Sequence, residues 1–371
     1  MNKKILMAER SDLYHDARVQ KEAESLRKNG FDVVVIGLRA NKLNLDNEFS
    51  YRMKTYHVLP RNYGYLRKLH LLFLILYINI KIIFIKSDFY HSHNTFFLPG
   101  MYIAKKLFRG KLVYDSHEVQ WELNLVASIQ ERLFINKVDK IINVSKGRAK
   151  AQSERFNISL KNIHVISNYP VLVEEIINKP SLNRGNSVRF IFSGGLNLSD
   201  NKIDNFIRAI KDYPEVTIDF LAFGYSNSAL VIKNIIAELG IENRVKFLPL
   251  VKPNEVLETI TNYDYTVNMM VNPQNLVSIN YHSINKIYEA ISAGLPILCS
   301  NLPAFIEEIV NNEIGYNVDP ESIESIQEGI KRIIHNKSNH LIMRRKAFDL
   351  AKAKFNWSLE ETKLINLYNS L

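Results

Sequence analysis

Cysteine is almost missing from this chain. Cys299 is the only one in 371 residues, so no disulfide can form within it. That excludes a small, disulfide-stapled secreted scaffold and favours a reducing, cytosolic setting. Glycine (14) and proline (11) are scarce, which argues against collagen-like and Pro/Gly-rich disordered classes. No repeat or low-complexity tract stands out. No G-x-G-x-x-G follows the first strand-like run, so a dinucleotide-dependent dehydrogenase is disfavoured. An uninterrupted membrane-length apolar run is also lacking. The longest candidate, His70–Ile85, is broken by Asn79 and Lys81 and makes a poor spanning helix. The basic start, Met1–Glu9, has too short an apolar run for a secretory signal and reads as a first strand.

What remains is a globular composition with 46% hydrophobic and 23% charged residues, enough for two or three cores. The net charge of +10 is unevenly spread. Residues 1–170 carry 28 Lys and Arg against 15 Asp and Glu, whereas residues 171–371 carry 20 against 23. The first half therefore faces an anionic partner or simply presents a solvated basic surface. Basic and aromatic residues at Arg61–Lys68 lead into the apolar run. Such a helix can lie on an anionic membrane surface or pack on a sheet. Nucleic acid ranks below both, since no recognised binding module accompanies the charge.

Strand and helix patterns alternate. In the first half, strands are expected at Ile5–Ala8, Asp32–Gly37, Phe89–His93, Lys111–Asp115, Lys140–Val144 and His164–Ile166. Helices are expected over Tyr14–Lys28, Pro99–Phe108 and Lys146–Phe156. A weakly patterned stretch follows, and then a second alternating unit. Its strands fall at Arg189–Phe192, Thr217–Leu221, Val245–Phe247, Tyr265–Val267 and Ile297–Cys299. The expected fold class is α/β, with two facing Rossmann-like, doubly wound parallel sheets. The expected division is residues 1–170, a linker at 171–186, a second domain at 187–354 and a last helix at 355–371 packing back on the first domain. Ser358 is read as that helix's cap, with Glu361 in the capping-box position. A cleft between the domains is the default ligand site.

The most informative segment is Ser283-Ile-Asn-Lys-Ile-Tyr-Glu289-Ala-Ile-Ser-Ala-Gly294-Leu-Pro296. It reads as a helix capped by Ser283, closed by Gly294 and followed by a strand. The free N–H groups of its start suit a phosphate. Lys286 and Glu289, three residues apart, share a face near that end. A ligand with both phosphate and hydroxyl groups fits. His91 and His93 have metal-like spacing, but no further ligand cluster is visible in the sequence, so no metal is expected.

These residues resemble a known family, the GT-B retaining glycosyltransferases of family four. Asp16-Ala-Arg18 and Glu22–Gly30 resemble its first helix, and His91-Ser-His93-Asn94 a strand end. Tyr114-Asp-Ser-His117-Glu118 resembles the following strand and loop. Ser193-Gly194-Gly195 resembles the opening of its donor domain, and Asn285–Pro296 its donor helix. The resemblance implies a nucleotide diphosphate sugar as co-substrate and no metal cofactor. Glu289 would bind the ribose. Gly194, Gly195 and the backbone of Ser283, Ile284 and Asn285 would bind the diphosphate, with Lys202 and Lys286 neutralising it. His117 would touch the transferred sugar, and the acceptor would sit near Asp16 and Arg18. The base would meet backbone groups and loop residues such as Tyr225. Sugar transfer with retention to a lipid-linked or saccharide acceptor follows, in bacterial surface polysaccharide or lipopolysaccharide assembly. The expected location is the cytoplasm, peripheral on the inner face of the membrane. Tyr281 stands where the family often has a Glu, and no Arg follows Gly194-Gly195. Two alternatives are kept on that account: a non-transferring sugar-nucleotide epimerase, and a degenerate partner subunit.

Overall fold

The computed structural model describes residues 2–39, 49–173, 187–223, 226–251 and 255–371. By internal contacts the chain divides into two units, Met1–Asn168 with Glu360–Leu371, and Tyr169–Leu359. Most of the segment read as a linker, 174–186, lies outside the described residues, as does Tyr225.

The first unit runs β1 (Lys4–Asp12), α1 (Ala17–Lys28), β2 (Asp32–Arg39), β3 (Arg52–His57), α2 (Gly64–Ile83), β4 (Phe89–Ser92), α3 (Leu98–Phe108), β5 (Lys111–Ser116), α4 (Gln120–Leu123), α5 (Leu125–Phe134), β6 (Lys140–Asn143), α6 (Lys146–Phe156) and β7 (Ile163–Val165). Its sheet is ordered β3-β2-β1-β4-β5-β6-β7, and every pairing is parallel. The order reverses between β1 and β4, and a doubly wound sheet opens a crevice beyond the carboxyl ends of the strands at such a point. β1 extends four residues past the expected Ala8. β3 was read as loop: its residues alternate half-buried and exposed with mixed polarity, which is what an edge strand looks like and why it carries little apolar signal.

The second unit holds β8 (Val188–Gly195), β9 (Val216–Phe223), β10 (Val245–Phe247), β11 (Tyr265–Asn268), β12 (Ile297–Ser300) and β13 (Gly315–Val318). They form a parallel sheet in the order β10-β9-β8-β11-β12-β13, with its reversal between β8 and β11. Successive side chains on a strand point to opposite faces. Phe190 and Phe192 therefore enter one core layer with Phe206 and Phe220, while Ile191 enters the other with Ile287, Ile291 and Phe305. Helices at Ile323–His335 and Lys337–Ala353, which sequence reading left unassigned, cover these layers.

The donor-like helix spans Asn285–Ser292. Gly294 follows it at φ +61°, and Leu295 N–H reaches back to the Ala290 carbonyl at 2.8 Å. Only a residue at ease in the left-handed region closes a helix this way. A Cβ there would lie 2.3 Å from the Phe348 ring, so Gly294 also lets the last long helix approach.

Two expected caps are corrected. Ile284, not Ser283, occupies the cap position of the 285–292 helix, and no side chain caps it. The C-terminal helix spans Trp357–Asn369 and is capped by Asn356, whose Oδ1 accepts from Leu359 N–H at 3.2 Å. Ser358 therefore lies inside the first turn. Glu360, almost fully buried, instead accepts from Ser167 N–H at 2.8 Å, tying this helix into the first unit.

Candidate functional site

In the second unit, β8 ends at the sheet's reversal in Ser193-Gly194-Gly195. Gly194 has φ +125°, which other residues adopt rarely. A Cβ on it would sit 3.5 Å from Lys286 Cγ, so the bare backbone faces the start of the 285–292 helix. A pocket of about 260 Å³ opens there, lined by Ser193, Gly194, Lys286 and Glu289 on its polar side and by Leu221, Leu250, Val251 and Val256 on its apolar side. Lys286 Nζ and Glu289 Oε2 are 2.9 Å apart, and both side chains stay partly exposed. The three-residue helical spacing sets that pair.

The apolar wall is the part that sequence reading missed. It comes from Leu221 on β9, from Leu250 and Val251 beyond β10, and from Val256, the first residue of a five-residue helix, Val256–Ile260, and nothing local marks those residues as ligand-facing. The 285–292 helix is held from behind by its own Tyr288, whose hydroxyl donates to Glu308 at 2.9 Å. Burial pushes the Glu308 carboxyl up to about 7.

The other expected donor residues fall as follows. Ser283 and Ile284 precede the helix, Asn285 is its exposed first residue, and Gly195 ends β8. Lys202 occupies the cap position of the Ile203–Ala209 helix, with its own N–H bonded to the Met269 carbonyl at 2.8 Å. It is not among the residues lining the pocket.

In the first unit, ionisable residues from α1, from β4 and β5 and from the turns after these two strands converge at the carboxyl ends of β4 and β5. Asp115 is the hub and is wholly buried. Arg18, from α1, donates to it through Nε at 2.8 Å and Nη2 at 3.1 Å, and through Nη1 to the Ile166 carbonyl at 3.1 Å. Arg18 Nη2 also pairs with Glu22 at 2.9 Å. His93 Nδ1 lies 3.2 Å from Asp115, and His117 Nδ1 lies 3.5 Å from it, an ion-pair separation. His91 stacks on His93 at 4.3 Å, and its Nδ1 meets the Tyr368 hydroxyl of the C-terminal helix at 2.6 Å.

The charges settle one another. Burial works against ionisation of Asp115, but Arg18 and His117 outweigh it and hold the carboxyl well below its usual range. Burial likewise disfavours a charged His117, yet Asp115 and then Glu9 hold its imidazolium up to about 9. His91 is pushed the other way, by burial and by neighbouring His93. His117 reaches the surface, with 16% of its side chain exposed. It is a cation at neutral pH, mounted on a buried carboxylate.

This geometry corrects two expectations. Asp16 and Arg18 do not form an exposed acceptor-side pair. Asp16 caps α1, accepting from Val19 N–H at 3.2 Å and from the Ser11 hydroxyl at 2.5 Å. Arg18 points inward and is 4% exposed, so it touches the site only through Asp115. The premise that His91 and His93 lack further ligand-type neighbours also fails. Glu22, His91, His93 and Asp115 bring their ligand atoms within 4.8 Å of one another. The guanidinium of Arg18 sits against both carboxylates, however, and supplies the positive charge that a cation would bring.

Comparison with known proteins agrees with this anatomy. A model of the glycosyl transferases group 1 matches residues 173–350, and one of glycosyltransferase family 4 matches residues 17–169. The O-antigen chain mannosyltransferase RfbU of Salmonella typhimurium is 20% identical over 281 residues, covering 73% of this chain and 68% of its own. The capsular polysaccharide biosynthesis glycosyltransferase CapM of Staphylococcus aureus is 25% identical over 184 residues, 47% of each chain. Among solved structures, Anabaena HepE in complex with UDP and glucose superposes along the full length of both chains, with a TM-score of 0.71 at 18% identity. Each half of the chain matches a glycosyltransferase model and each carries its own doubly wound sheet: the chain belongs to the GT-B glycosyltransferases.

Proposed function

We propose that the chain moves a sugar from a nucleotide diphosphate sugar to an acceptor hydroxyl, with retention at the anomeric carbon. The observation that carries this reading is the pocket at the end of β8. It offers a bare backbone at Gly194, a cation at Lys286, a carboxylate at Glu289 and an apolar wall within one small space. A nucleoside diphosphate has parts that match each of these: phosphates, ribose hydroxyls and a flat base. Glu289 accepts from the ribose hydroxyls. The uncapped start of the 285–292 helix, with Gly194 and Gly195, takes the diphosphate, and Lys286 shifts from Glu289 toward it. Lys202 neutralises the outer phosphate. The bond from the anomeric carbon to the diphosphate oxygen breaks, and the acceptor oxygen takes its place. The departing diphosphate oxygen, whose negative charge these dipoles and cations stabilise, takes up the acceptor's proton. His117, as an imidazolium, donates to a hydroxyl of the transferred sugar. The protein's own cations do the work for which other sites use a metal.

The acceptor is a lipid-linked saccharide of bacterial surface polysaccharide or lipopolysaccharide assembly, worked on at the inner face of the cell membrane. The two curated relatives, an O-antigen mannosyltransferase and a capsular polysaccharide glycosyltransferase, support this class of acceptor. They leave the transferred sugar open.

Titration calorimetry against UDP, GDP, ADP and their sugars tests the donor assignment. One nucleoside diphosphate should bind, and Glu289→Ala should weaken it about ten- to a hundredfold. That is the worth of charge-assisted hydrogen bonds to two hydroxyls, about 1.5–3 kcal/mol. Equal binding by the variant sinks the role of Glu289. NMR of the product then reads the anomer, and an epimerised donor formed without acceptor would point to the epimerase alternative.

A further inference from the structure

α2 is apolar on both of its faces. Leu74, Ile75, Ile78 and Ile82 are buried on the sheet. The opposite face, where a surface helix carries charge, instead presents Leu69, Leu72, Phe73, Leu76 and Ile80, each between 47% and 62% exposed. α3 packs beside α2 and against α5, and both continue the pattern. Ile103 and Leu107 are exposed on α3, and Leu125, Ile129 and Leu133 on α5. Exposed aliphatic and aromatic side chains on three neighbouring helices exceed the scattered apolar residues of an ordinary surface. No helix among the described residues is long and apolar enough to cross a membrane.

The charge around α2 and α3 is mostly basic, although Lys105 is paired with Asp139 at 2.7 Å. Residues 61–109, which hold α2 and α3, contain eight Lys or Arg and a single acidic residue, Asp88. At the edge of the α5 stripe, one position before Leu133, Arg132 turns into a second pocket. That pocket, of about 520 Å³, is lined by Ser128, Arg132, Asn136, Arg155, Phe156 and Asn157. Arg155 lies over the Trp121 ring at 5.6 Å, which fixes its guanidinium near that rim. Two guanidinium groups with three neutral hydrogen-bonding side chains and no lining carboxylate suit a phosphodiester.

We propose that the α2–α3–α5 face is a docking surface for an anionic lipid bilayer, with the Arg132–Arg155 pocket holding a lipid phosphate at its edge. The side chains of Phe73, Leu76 and Ile80 enter the boundary between headgroups and acyl chains, while the surrounding lysines and arginines meet the headgroups. The face is apolar where a bilayer is apolar and basic where it is acidic. A protein partner of ordinary composition would not need that excess of basic charge. The proposal deepens the reading of a lipid-linked acceptor by naming the surface that meets the lipid. Its test measures binding alone, so it stands or falls separately from donor binding and transfer.

Vesicle co-sedimentation of the full chain provides that test, using phosphatidylcholine alone and phosphatidylcholine with phosphatidylglycerol. The expected result is sedimentation with the phosphatidylglycerol vesicles at low salt, with little on phosphatidylcholine alone. F73S/L76S should weaken partition at least about tenfold. R132E/R155E should remove most of the phosphatidylglycerol preference while leaving residual apolar binding. Both variants should keep wild-type nucleotide binding and melting temperature, since their side chains are exposed. Failure of the wild type to sediment at low salt overturns the proposal, and so does equal sedimentation of wild type and both variants. A stable dimer in sedimentation velocity that F73S/L76S turns into monomer overturns it in favour of a second copy of the chain.

Discussion

Replacing Arg18 with Met separates a structural arginine from an acceptor contact. Arg18 neutralises two carboxylates with no solvent exposure of their own, Asp115 and Glu22. Deleting one partner of a buried ion pair costs about 3–5 kcal/mol, because the other is left charged without water. The two carboxylates are not equally stranded. Asp115 keeps His117 and His93 beside it. Among the described residues, Glu22 keeps only His91 within ion-pair distance, at 3.7 Å, and burial pushes that ring towards the neutral form; His93 and His117 act on Glu22 more weakly than Arg18 does. Burial already raises the Glu22 carboxyl, so losing the cation drives it to take up a proton. That proton relieves the penalty, so the loss should sit near the lower end, about 3 kcal/mol at pH 7.5, and shrink towards pH 5.5. The signs agree. The raised carboxyl of the variant binds a proton more tightly when folded than unfolded, so acid favours its folded state relative to neutral pH. Urea unfolding followed by circular dichroism at both pH values gives the number. Nucleotide binding, a property of the second unit under the donor reading, checks that only the first unit changes. A loss below about 1 kcal/mol at both pH values refutes the reasoning. If that small loss came with weakened saccharide binding, Arg18 would be an acceptor contact after all.

Three further outcomes are expected. Gly294→Ala should destabilise the second unit by about 2–4 kcal/mol, from left-handed strain plus displacement of the Phe348 ring; an unchanged urea midpoint would show that the ring gives way freely. The His117 imidazolium, raised to about 9 from an unfolded value of about 6.5, should contribute stability that is complete below pH 6.5 and lost as pH rises through 9. His117→Gln should therefore flatten the decline in stability between pH 7 and 9, and an identical slope in both proteins would contradict the pairing with Asp115. Asp16→Ala removes a cap and the acceptor of the Ser11 hydroxyl, so about 1–2 kcal/mol is expected, with transfer to a saccharide acceptor unaffected; lost transfer at full stability would return Asp16 to the acceptor side.

Much of this molecule was legible because its strands are short apolar runs and its helices end in recognisable signals. Asn29-Gly30 and Gly294-Leu-Pro296 mark helix ends from local chemistry alone. Lys286 and Glu289 meet because helical spacing brings i and i+3 together. Caps were less legible, since Ser283 and Ser358 are good capping residues that stand one residue before and two residues after the actual caps, Ile284 and Asn356. Propensity names a candidate, and the chain's exit angle chooses the position. β3 escaped because an edge strand needs few apolar residues. The Asp115 cluster could not be read as a cluster: Arg18, Glu22, His91, His93, Asp115, His117 and Tyr368 are gathered by sheet order, and no spacing along the chain encodes that. Arg18 looked available because it opens a helix beside a possible site, and only the position of Asp115 turns it inward.

The first unit is made from two stretches of chain with the whole second unit between them. Tyr368 packs on Phe31 and Phe89 and holds His91, so this sheet lacks one of its supports until the final helix exists. Tyr169–Leu359 draws its cores from one continuous stretch, whereas the first unit needs residues from both sides of it. A chain cut before residue 360 would keep every residue of the second unit and leave the first without the helix that covers this flank.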